Sequence, residues 1–323
     1  MVKNNKINLD KIKNYFLEKN IKIQSFKKFN SDASNKEFRL YESLTDKYLV
    51  LSFVNQPQDF KKYINATKAF EIIGIPVPEM LYSNNSTVSV VMNYLPSNNA
   101  TQYIKSRYLK TILLEASSHL VKLKNNQSKF KNISLRPKNA LSKSAVWGIS
   151  LYVNHYKKKI DGYDFILNLL LKNLKKTFKK ISIYQSILTH GDYFLDNLIF
   201  YKKKVWVIDH QDLSYDHPLL DIASLVFDAR RIYSKKMTND ILDSYLKNIK
   251  PNEKKAMTDD IHLVSLARNL RILGAWIYLN KKGKAIYLKN FKQNTWHQIN
   301  LHIDHLKLYE LRDLLGIIHQ ETS

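Results

Sequence analysis

The sequence predicts an α+β fold with a small N-terminal lobe that contains a sheet and a larger, mainly helical C-terminal lobe. In the first 95 residues, short segments rich in β-formers alternate with amphipathic helical segments, whereas long segments of helical periodicity predominate after residue 100. The segment Pro96-Ser97-Asn98-Asn99 separates the two regions and predicts a hinge. We therefore expect a single domain with lobes at residues 1–95 and 96–323.

The first region predicts a helix, strands and a second helix. Residues 8–19 have the apolar spacing of an amphipathic helix, as do residues 58–73, where Gly74 is the expected C-cap. A polar turn of small residues at positions 30–34 separates the first two strands. The predicted strands are Ile21–Phe26, Lys36–Tyr41, Lys47–Val54 and Val88–Leu95.

The second region predicts helices that are interrupted once by two short strands. These strands, Leu198–Tyr201 and Val205–Ile208, are joined by a turn at residues 202–204. The predicted helices are Tyr103–Lys124, Asp161–Lys180, Asp221–Ser234, Thr238–Ile249, Asn252–Asn280 and Phe291–Leu315.

Composition excludes some classes of protein. The 323 residues include no cysteine, which excludes a disulfide framework and a thiolate metal site. The formal net charge of +24 is compatible with a phosphate-bearing partner, but the lysines are scattered in short runs, so we expect solvated faces and no specific nucleic acid. No apolar run approaches the roughly 18 residues that a membrane span needs, which predicts a cytoplasmic protein. The oligomeric state is left open.

One stretch has the pattern of a phosphoryl-transfer site. His190, Gly191 and Asp192 follow an apolar run, Asn197 follows after four more residues, and an apolar strand then leads into Asp209. A loop carboxylate at Asp192 could orient and deprotonate an acceptor hydroxyl. The amide of Asn197 and the carboxylate of Asp209 are suitable ligands for Mg²⁺ that bridges nucleotide phosphates.

Neighbouring residues are expected to support this site. Asp221 is a candidate N-cap whose carboxylate could hydrogen-bond the backbone of the catalytic loop, and we expect His190 to have a structural role as well. Asp212 could support the metal site or line the acceptor site, although a turn residue is an equally good interpretation.

This pattern resembles the aminoglycoside phosphotransferase and choline kinase-like family, whose motif is His-Gly-Asp, four residues, Asn, a strand and Ile-Asp. Within that family, Ile208-Asp209-His210-Gln211-Asp212 and the following residues to Arg230 are similar to a branch of bacterial cell-wall amino-sugar kinases. Two distant segments agree: residues 31–39 resemble a Gly-Asp-Ala-Ser loop with its strand, and residues 268–288 resemble a C-terminal helical signature. The resemblance implies a two-lobed protein-kinase-like fold and a kinase that uses ATP and Mg²⁺.

The resemblance also implies where the nucleotide binds. The turn at positions 30–34 would cover the phosphates, and the backbone of Met92–Pro96, which leads into the hinge, would meet the base. The implied nucleotide-binding residues are Ser31, Asp32, Ala33, Ser34, Arg39, Asn93 and Tyr94.

Three departures from the family pattern affect the expected site. Ser31 replaces the usual glycine, and the strand Tyr48–Val54 lacks the interior lysine that many kinase-like proteins direct at the α- and β-phosphates. Lys47 or Arg39 could supply that charge. Phe194 stands where relatives often have a polar residue, so we consider it, with Asp212, a candidate for the acceptor site.

The predicted function is phosphoryl transfer to the anomeric hydroxyl of N-acetylmuramate or N-acetylglucosamine. Kinases for choline, homoserine or an aminoglycoside are alternatives with the same chemistry. A nucleotide-binding regulator without turnover is a further alternative, supported by the missing strand lysine. A nucleic-acid binder would rest on net charge alone, because no recognition motif accompanies it.

Overall fold

The structure of the protein is a computed structural model that describes residues 10–30, 36–96, 99–126, 128–182 and 184–322. The chain forms two compact units, and each is built from several segments. Unit 1 comprises Met1–Glu115, Asn126–Ser134 and Leu195–Leu213, and unit 2 comprises Ala116–Asn125, Leu135–Phe194 and Ser214–Ser323. The lobe boundary expected between residues 95 and 96 stays a prediction.

Unit 1 contains a five-stranded antiparallel sheet, in the order β1-β2-β3-β5-β4. Its helices are α1 (Asp10–Glu18), before the sheet, and α2 (Pro57–Ile73), which Gly74 ends in the expected left-handed conformation with φ 73°. The strands are β1 (Ser25–Asn30), β2 (Glu37–Glu42), β3 (Lys47–Ser52), β4 (Met80–Asn84) and β5 (Ser89–Asn93). β4 was not predicted because its residues are mostly half-buried and show no alternation of buried and exposed positions.

Both faces of this sheet are covered, because successive residues of a strand point to opposite sides. On one side, Val50 of β3 packs with Ile12 and Phe16 of α1. On the other side, the next residue, Leu51, packs with Phe60 of α2. The sheet therefore has two apolar layers, and the small antiparallel lobe expected from the sequence is confirmed.

Unit 1 also contains a β-hairpin, which lies between Asn197 and Asp209. It consists of β8 (Leu198–Tyr201) and β9 (Lys204–Val207), and both residues of its turn, Lys202 and Lys203, have positive φ of 48° and 58°. Such turns match the twist of paired strands. Short 3-10 helices precede it at Ala100–Tyr103 and Leu195–Asn197.

Unit 2 is mainly helical, as the sequence predicts. Its short strands β6 (Ser134–Leu135), β7 (Ile187–Thr189) and β10 (Ser214–Asp216) form a sheet in the order β6-β10-β7. The helices of this region, of which α3 begins in unit 1, are α3 (Leu109–Asn125), α4 (Ala140–His155), α5 (Tyr163–Phe178), α6 (Leu220–Val226), α7 (Lys235–Tyr245), α8 (Pro251–Lys281), α9 (Ala285–His305) and α10 (Tyr309–Thr322). Within the described residues, no helix is both long and apolar enough to cross a membrane.

Three helix predictions were inaccurate, and one helix was not predicted. The segment predicted from residue 103 begins its helix at Leu109, and the helix predicted to end at Ser234 ends at Val226. The predicted helix 291–315 is two helices, because Lys307 has a positive φ of 54° between α9 and α10. Helix α4 was missed because its serines, valines and glycine are weak helix formers, so that packing has to stabilise it.

The packing of α4 against α8 depends on two glycines. A Cβ atom on Gly148 would overlap with the backbone of Leu270 and Arg271, and a Cβ atom on Gly274 would overlap with the backbone of Gly148. The two helices therefore touch through their backbones. This contact fixes the position of α8, which also carries Arg268.

Replacing Gly148 with alanine is expected to lower the free energy of unfolding by about 2 kcal/mol or more, since backbone cannot yield to an added methyl group. Gly316→Ala is the matched control, because Gly316 lies inside α10 and a Cβ there meets nothing within 4 Å. That control should gain about 0.5–1 kcal/mol from helix propensity. Urea unfolding measures both, and equal midpoints for the two variants would contradict the backbone contact.

Candidate active site

The loop that carries Asp192 is held by a buried carboxylate. The Asp221 side chain is 3% exposed and accepts hydrogen bonds from the backbone N–H groups of His190 at 2.6 Å and Gly191 at 2.9 Å. Burial raises the pKa of Asp221, and His190 together with these hydrogen bonds opposes the shift. Gly191 has a positive φ of 86°, which a glycine adopts without strain. The backbone of the loop is thereby fixed at two consecutive residues.

The surroundings of this loop correct one expectation from the sequence and add further anchors. Leu219 and not Asp221 occupies the N-cap position of α6, and Asp221 lies in the first helical turn. His190 is fully buried, and its Nδ1 atom accepts a hydrogen bond from the Asp192 backbone N–H at 3.3 Å. Tyr193 donates its hydroxyl hydrogen to the Ala116 carbonyl at 3.1 Å, which anchors the next residue of the loop.

Asp192 itself is available to a ligand. Its side chain is 46% exposed, whereas the guanidinium of Arg268, 3.0 Å from its Oδ1 atom, has a side chain only 4% exposed. Burial lowers the pKa of Arg268 to about 10, and the negative charge of Asp192 opposes that shift. The arginine orients the carboxylate from the protein side, and the Asp192 side chain remains accessible to solvent. Sequence analysis noted Arg268 only as part of a family signature.

Residues predicted as metal ligands lie together in unit 1. Asn197 ends a 3-10 helix and is 9% exposed, and its carbonyl accepts a hydrogen bond from the Ile208 backbone N–H at 3.0 Å. The next residue, Asp209, has a positive φ of 58°, an unusual conformation for a residue other than glycine. The amide of Asn197 and the carboxylate of Asp209 are thus presented by adjacent backbone segments.

This donor set fits Mg²⁺. Amide and carboxylate oxygens are preferred ligands, and Mg²⁺ that is bound mainly by nucleotide phosphates needs only one or two protein ligands. The Asp209 side chain is 42% exposed and therefore accessible. The described residues contain no group of three or more His, Cys, Asp or Glu side chains arranged for a metal ion.

A buried lysine, which the sequence analysis did not identify, lies against Asp209. The Nζ atom of Lys36 is 2.7 Å from Asp209 Oδ1 and 2.7 Å from Gln211 Oε1, and its side chain is 3% exposed. The two cations suggested by the sequence have other partners: Arg39 pairs with Glu37 at 3.3 Å, and Lys47 pairs with Glu42 at 2.5 Å. Lys36 lies two residues after the predicted phosphate-covering turn. This position was the sequence signal that could have indicated a role in nucleotide binding.

His210 connects the Asp209 segment to α2. Its Nε2 atom shares a hydrogen bond of 2.7 Å with the Thr67 hydroxyl, and its buried ring stacks on Tyr63 at 4.5 Å. Burial, followed by the negative charge of Asp209, raises the pKa of Tyr63. Because His210 is held in this way, the backbone at the preceding residue, Asp209, has few alternative conformations.

The predicted nucleotide-binding residues are only partly described. Ser31, Asp32, Ala33 and Ser34 lie outside the described residues. The Asn93 backbone N–H donates to the Glu79 carbonyl at 3.0 Å, and the Tyr94 N–H donates to the Lys47 carbonyl at 3.0 Å, so that both N–H groups are engaged within unit 1. Their contact with a base stays a prediction.

The two candidate acceptor residues belong to different units. Asp212, in unit 1, is exposed, and its Oδ2 atom is 3.4 Å from Gln211 Nε2. Phe194, in unit 2, is 4% exposed, and the guanidinium of Arg230 lies 4.3 Å from its ring centroid. Phe194 is thus a buried support for an arginine. Roles of both residues in acceptor binding stay predictions.

Comparisons with known proteins concern the family and the fold of the chain. A curated relative, N-acetylmuramate/N-acetylglucosamine kinase of Caulobacter vibrioides, is 29% identical over 133 residues, which are 39% of this chain and 36% of that protein. The match therefore spans about a third of the length of that relative.

Solved structures share the fold. Choline kinase LicA of Streptococcus pneumoniae is similar with a TM-score of 0.59 and 14% identity, over 93% of this chain and 99% of that one. The ADP-bound aminoglycoside phosphotransferase APH(2'')-Ib is similar with a TM-score of 0.59 and 17% identity, over 91% and 99%. The predicted protein-kinase-like fold class is confirmed.

A protein-family model matches most of the chain. The model of the phosphotransferase enzyme family, APH, matches residues 25–256, a range that includes the Asp192 loop, Asn197, Asp209 and Asp221. That range is most of the chain, and the resemblance inferred from the sequence motif is confirmed. The chain belongs to the phosphotransferase enzyme family.

Proposed function

We propose that the protein is an ATP- and Mg²⁺-dependent kinase that transfers the γ-phosphate to a hydroxyl of a small molecule, and that this acceptor is an amino sugar, N-acetylmuramate or N-acetylglucosamine. The observation that carries this proposal is the accessible carboxylate of Asp192 on a loop fixed by Asp221 and Arg268. Family membership supports the same reaction class. A cytoplasmic location, where ATP is available, stays a prediction.

Asp192 is the proposed catalytic residue. Its carboxylate would accept a hydrogen bond from the acceptor hydroxyl and receive its proton late in phosphoryl transfer. Arg268 is a positioning residue, since its guanidinium lies 3.0 Å from the Oδ1 atom and orients the carboxylate. Little covalent chemistry is required of the protein because the transition state is loose, so catalysis depends mainly on position and charge.

The nucleotide side of the reaction is assigned to unit 1. Asn197 and Asp209 would hold Mg²⁺, which supplies neutralisation of the phosphate charge when it is bound. Lys36 would contribute a second positive charge beside the same carboxylate, since its ammonium is buried against Asp209 and Gln211. We propose that Lys36 replaces the lysine that other kinase-like proteins carry within the third strand.

The proposed role of Lys36 argues against the alternative that the protein is a nucleotide-binding regulator without turnover. The absence of an interior lysine from β3 was the main support for a protein without turnover. Because Lys36 places a buried cation on the predicted metal ligand, that support is removed. Asp192, Asn197 and Asp209 are all present as well, as an active kinase requires.

The amino-sugar acceptor has narrower support. It rests on the sequence signature around residues 208–230 and on the name of the relative from Caulobacter vibrioides. Choline kinases and aminoglycoside phosphotransferases share the fold, so the fold does not distinguish these acceptors. Choline, homoserine and aminoglycosides are therefore the competing acceptors.

A kinase assay with Mg·ATP tests the function. We expect ADP release with N-acetylmuramate or N-acetylglucosamine, and less with choline, homoserine or an aminoglycoside. Asp192→Asn should lose at least about 100-fold in kcat, the usual contribution of a general base, and should still bind ATP. Asp243→Asn is the control, because that carboxylate is exposed on α7 and pairs with Lys254.

Three outcomes would contradict this proposal in different ways. ADP release with choline or an aminoglycoside alone would refute the amino-sugar acceptor and keep the kinase. ATP binding without transfer to any acceptor would favour the regulator. Wild-type turnover in Asp192→Asn would remove that residue from the mechanism.

The role of Lys36 is tested by nucleotide binding. Lys36→Met should raise the Kd for Mg·ATP roughly 10- to 100-fold, since a charge-assisted hydrogen bond contributes about 1.5–3 kcal/mol. Lys47→Met removes an exposed lysine at the start of β3 and should leave the Kd within about twofold. Calorimetry with a non-hydrolysable analogue measures both, with thermal melting as the folding control. Wild-type affinity in Lys36→Met would contradict the assignment.

A further inference from the structure

Near Asp192, unit 2 contains an arginine that is held by aromatic rings. The guanidinium carbon of Arg230 is 4.3 Å from the ring centroid of Phe194, 5.1 Å from Trp276 and 5.9 Å from Phe291. Its side chain is 18% exposed. Stacking occupies the faces of a guanidinium and leaves its N–H groups, which lie in the plane, available to an oxyanion.

The charge of Arg230 is not neutralised by a hydrogen-bonded carboxylate. Among the described residues, its closest acidic oxygen is Asp228 Oδ1 at 3.9 Å, too far for a hydrogen bond. The other oxygen of Asp228 is occupied by Arg231, whose NH1 atom is 2.6 Å away. Arg230 and Arg231 therefore share one carboxylate, so the pair keeps a net positive charge, and Arg230 holds its part of it on an aromatic support.

This charge lies in the same neighbourhood as the catalytic carboxylate. Phe194, which supports Arg230, follows Asp192 by two residues, a separation of at most roughly 7 Å along the chain. The positive charges of Arg271 and Arg230 also contribute to the lowered pKa of Arg268, the partner of Asp192. The surroundings of Asp192 are therefore cationic.

Arg268 provides a second hydrogen-bond donor in this region. The Nε atom of Arg268 is buried and has no hydrogen-bond partner among the described residues. A buried donor without a partner costs free energy, and native proteins usually satisfy such groups with water or a ligand. Arg268 and Arg230 thus both have hydrogen-bonding capacity that the described protein atoms do not use.

We propose that the acceptor of this kinase carries a carboxylate and that Arg230 binds it. The inference rests on the proposed function and narrows it to an anionic hydroxyl compound. Of the two sugars in the name of the Caulobacter vibrioides relative, N-acetylmuramate has a carboxylate and N-acetylglucosamine has none. N-acetylmuramate is therefore the preferred acceptor, and the cationic acceptors choline and aminoglycosides are repelled by Arg230.

Selectivity between the two sugars tests the proposal. Wild-type kcat/KM for N-acetylmuramate should exceed that for N-acetylglucosamine by at least about tenfold. Arg230→Met keeps an apolar contact with the rings and removes the charge, and it should lower this ratio by about tenfold or more, mainly through KM for N-acetylmuramate. Arg230→Lys should keep part of the ratio, because it retains the charge without the planar fork.

Controls separate this effect from loss of folding or of nucleotide binding. Arg312→Met removes an exposed arginine that pairs with Asp304 on the surface, and its selectivity ratio should equal that of the wild type. Melting temperature reports the folding of each variant. Calorimetry with an ATP analogue reports nucleotide affinity, which Arg230→Met should leave within about twofold.

Three results would overturn the inference. Equal kcat/KM for the two sugars in the wild type would show that a carboxylate is not recognised. An equal rise of KM for both sugars and of Kd for the nucleotide in Arg230→Met would assign Arg230 to phosphate binding. Transfer to neither sugar would refute the amino-sugar proposal, and the acceptor inference would fall with it.

Discussion

The buried carboxylate of Asp221 is the interaction on which the catalytic loop depends. A buried charge is unfavourable unless it is hydrogen-bonded, and the two backbone N–H groups of His190 and Gly191 satisfy it. Since those residues immediately precede Asp192, the catalytic side chain starts from a fixed backbone. Helix α6 supplies this anchor, and α8, placed by its backbone contact with α4, supplies the arginine that orients Asp192.

Both units use the same arrangement of charge. In unit 2, Arg268 is 4% exposed and lies against Asp192, which is 46% exposed; in unit 1, Lys36 is 3% exposed and lies against Asp209, which is 42% exposed. A buried cation requires a counter-ion, so each carboxylate is paired with its cation and held in place from the protein side. Each carboxylate also keeps an exposed side for a ligand. Positioning and charge, the two contributions that phosphoryl transfer requires, thus come from one kind of ion pair.

Much of this could be predicted from the sequence, because local patterns determine it. The strands β2, β3 and β5 of unit 1, most of the long helices and the order of Asp192, Asn197 and Asp209 follow from periodicity and spacing, whereas β4 was missed and β1 was placed too early. Lys36 could not be predicted, since its importance depends on Asp209, 173 residues further along the chain. Helix α4 was missed for a similar reason: tertiary packing around Gly148 overrides its weak propensity.

Phe194 shows how a departure from a family pattern can be explained by tertiary contacts. As a sequence feature it was an apolar residue at a position where relatives often carry a polar one, and for that reason a candidate for the acceptor site. In the fold its ring is buried beneath the guanidinium of Arg230, and Trp276 and Phe291 complete the support. A polar side chain at position 194 would provide a poorer surface for the cation. Phenylalanine at position 194 is therefore explained by its contact with Arg230. Phe194 affects the site indirectly, because it positions the guanidinium charge.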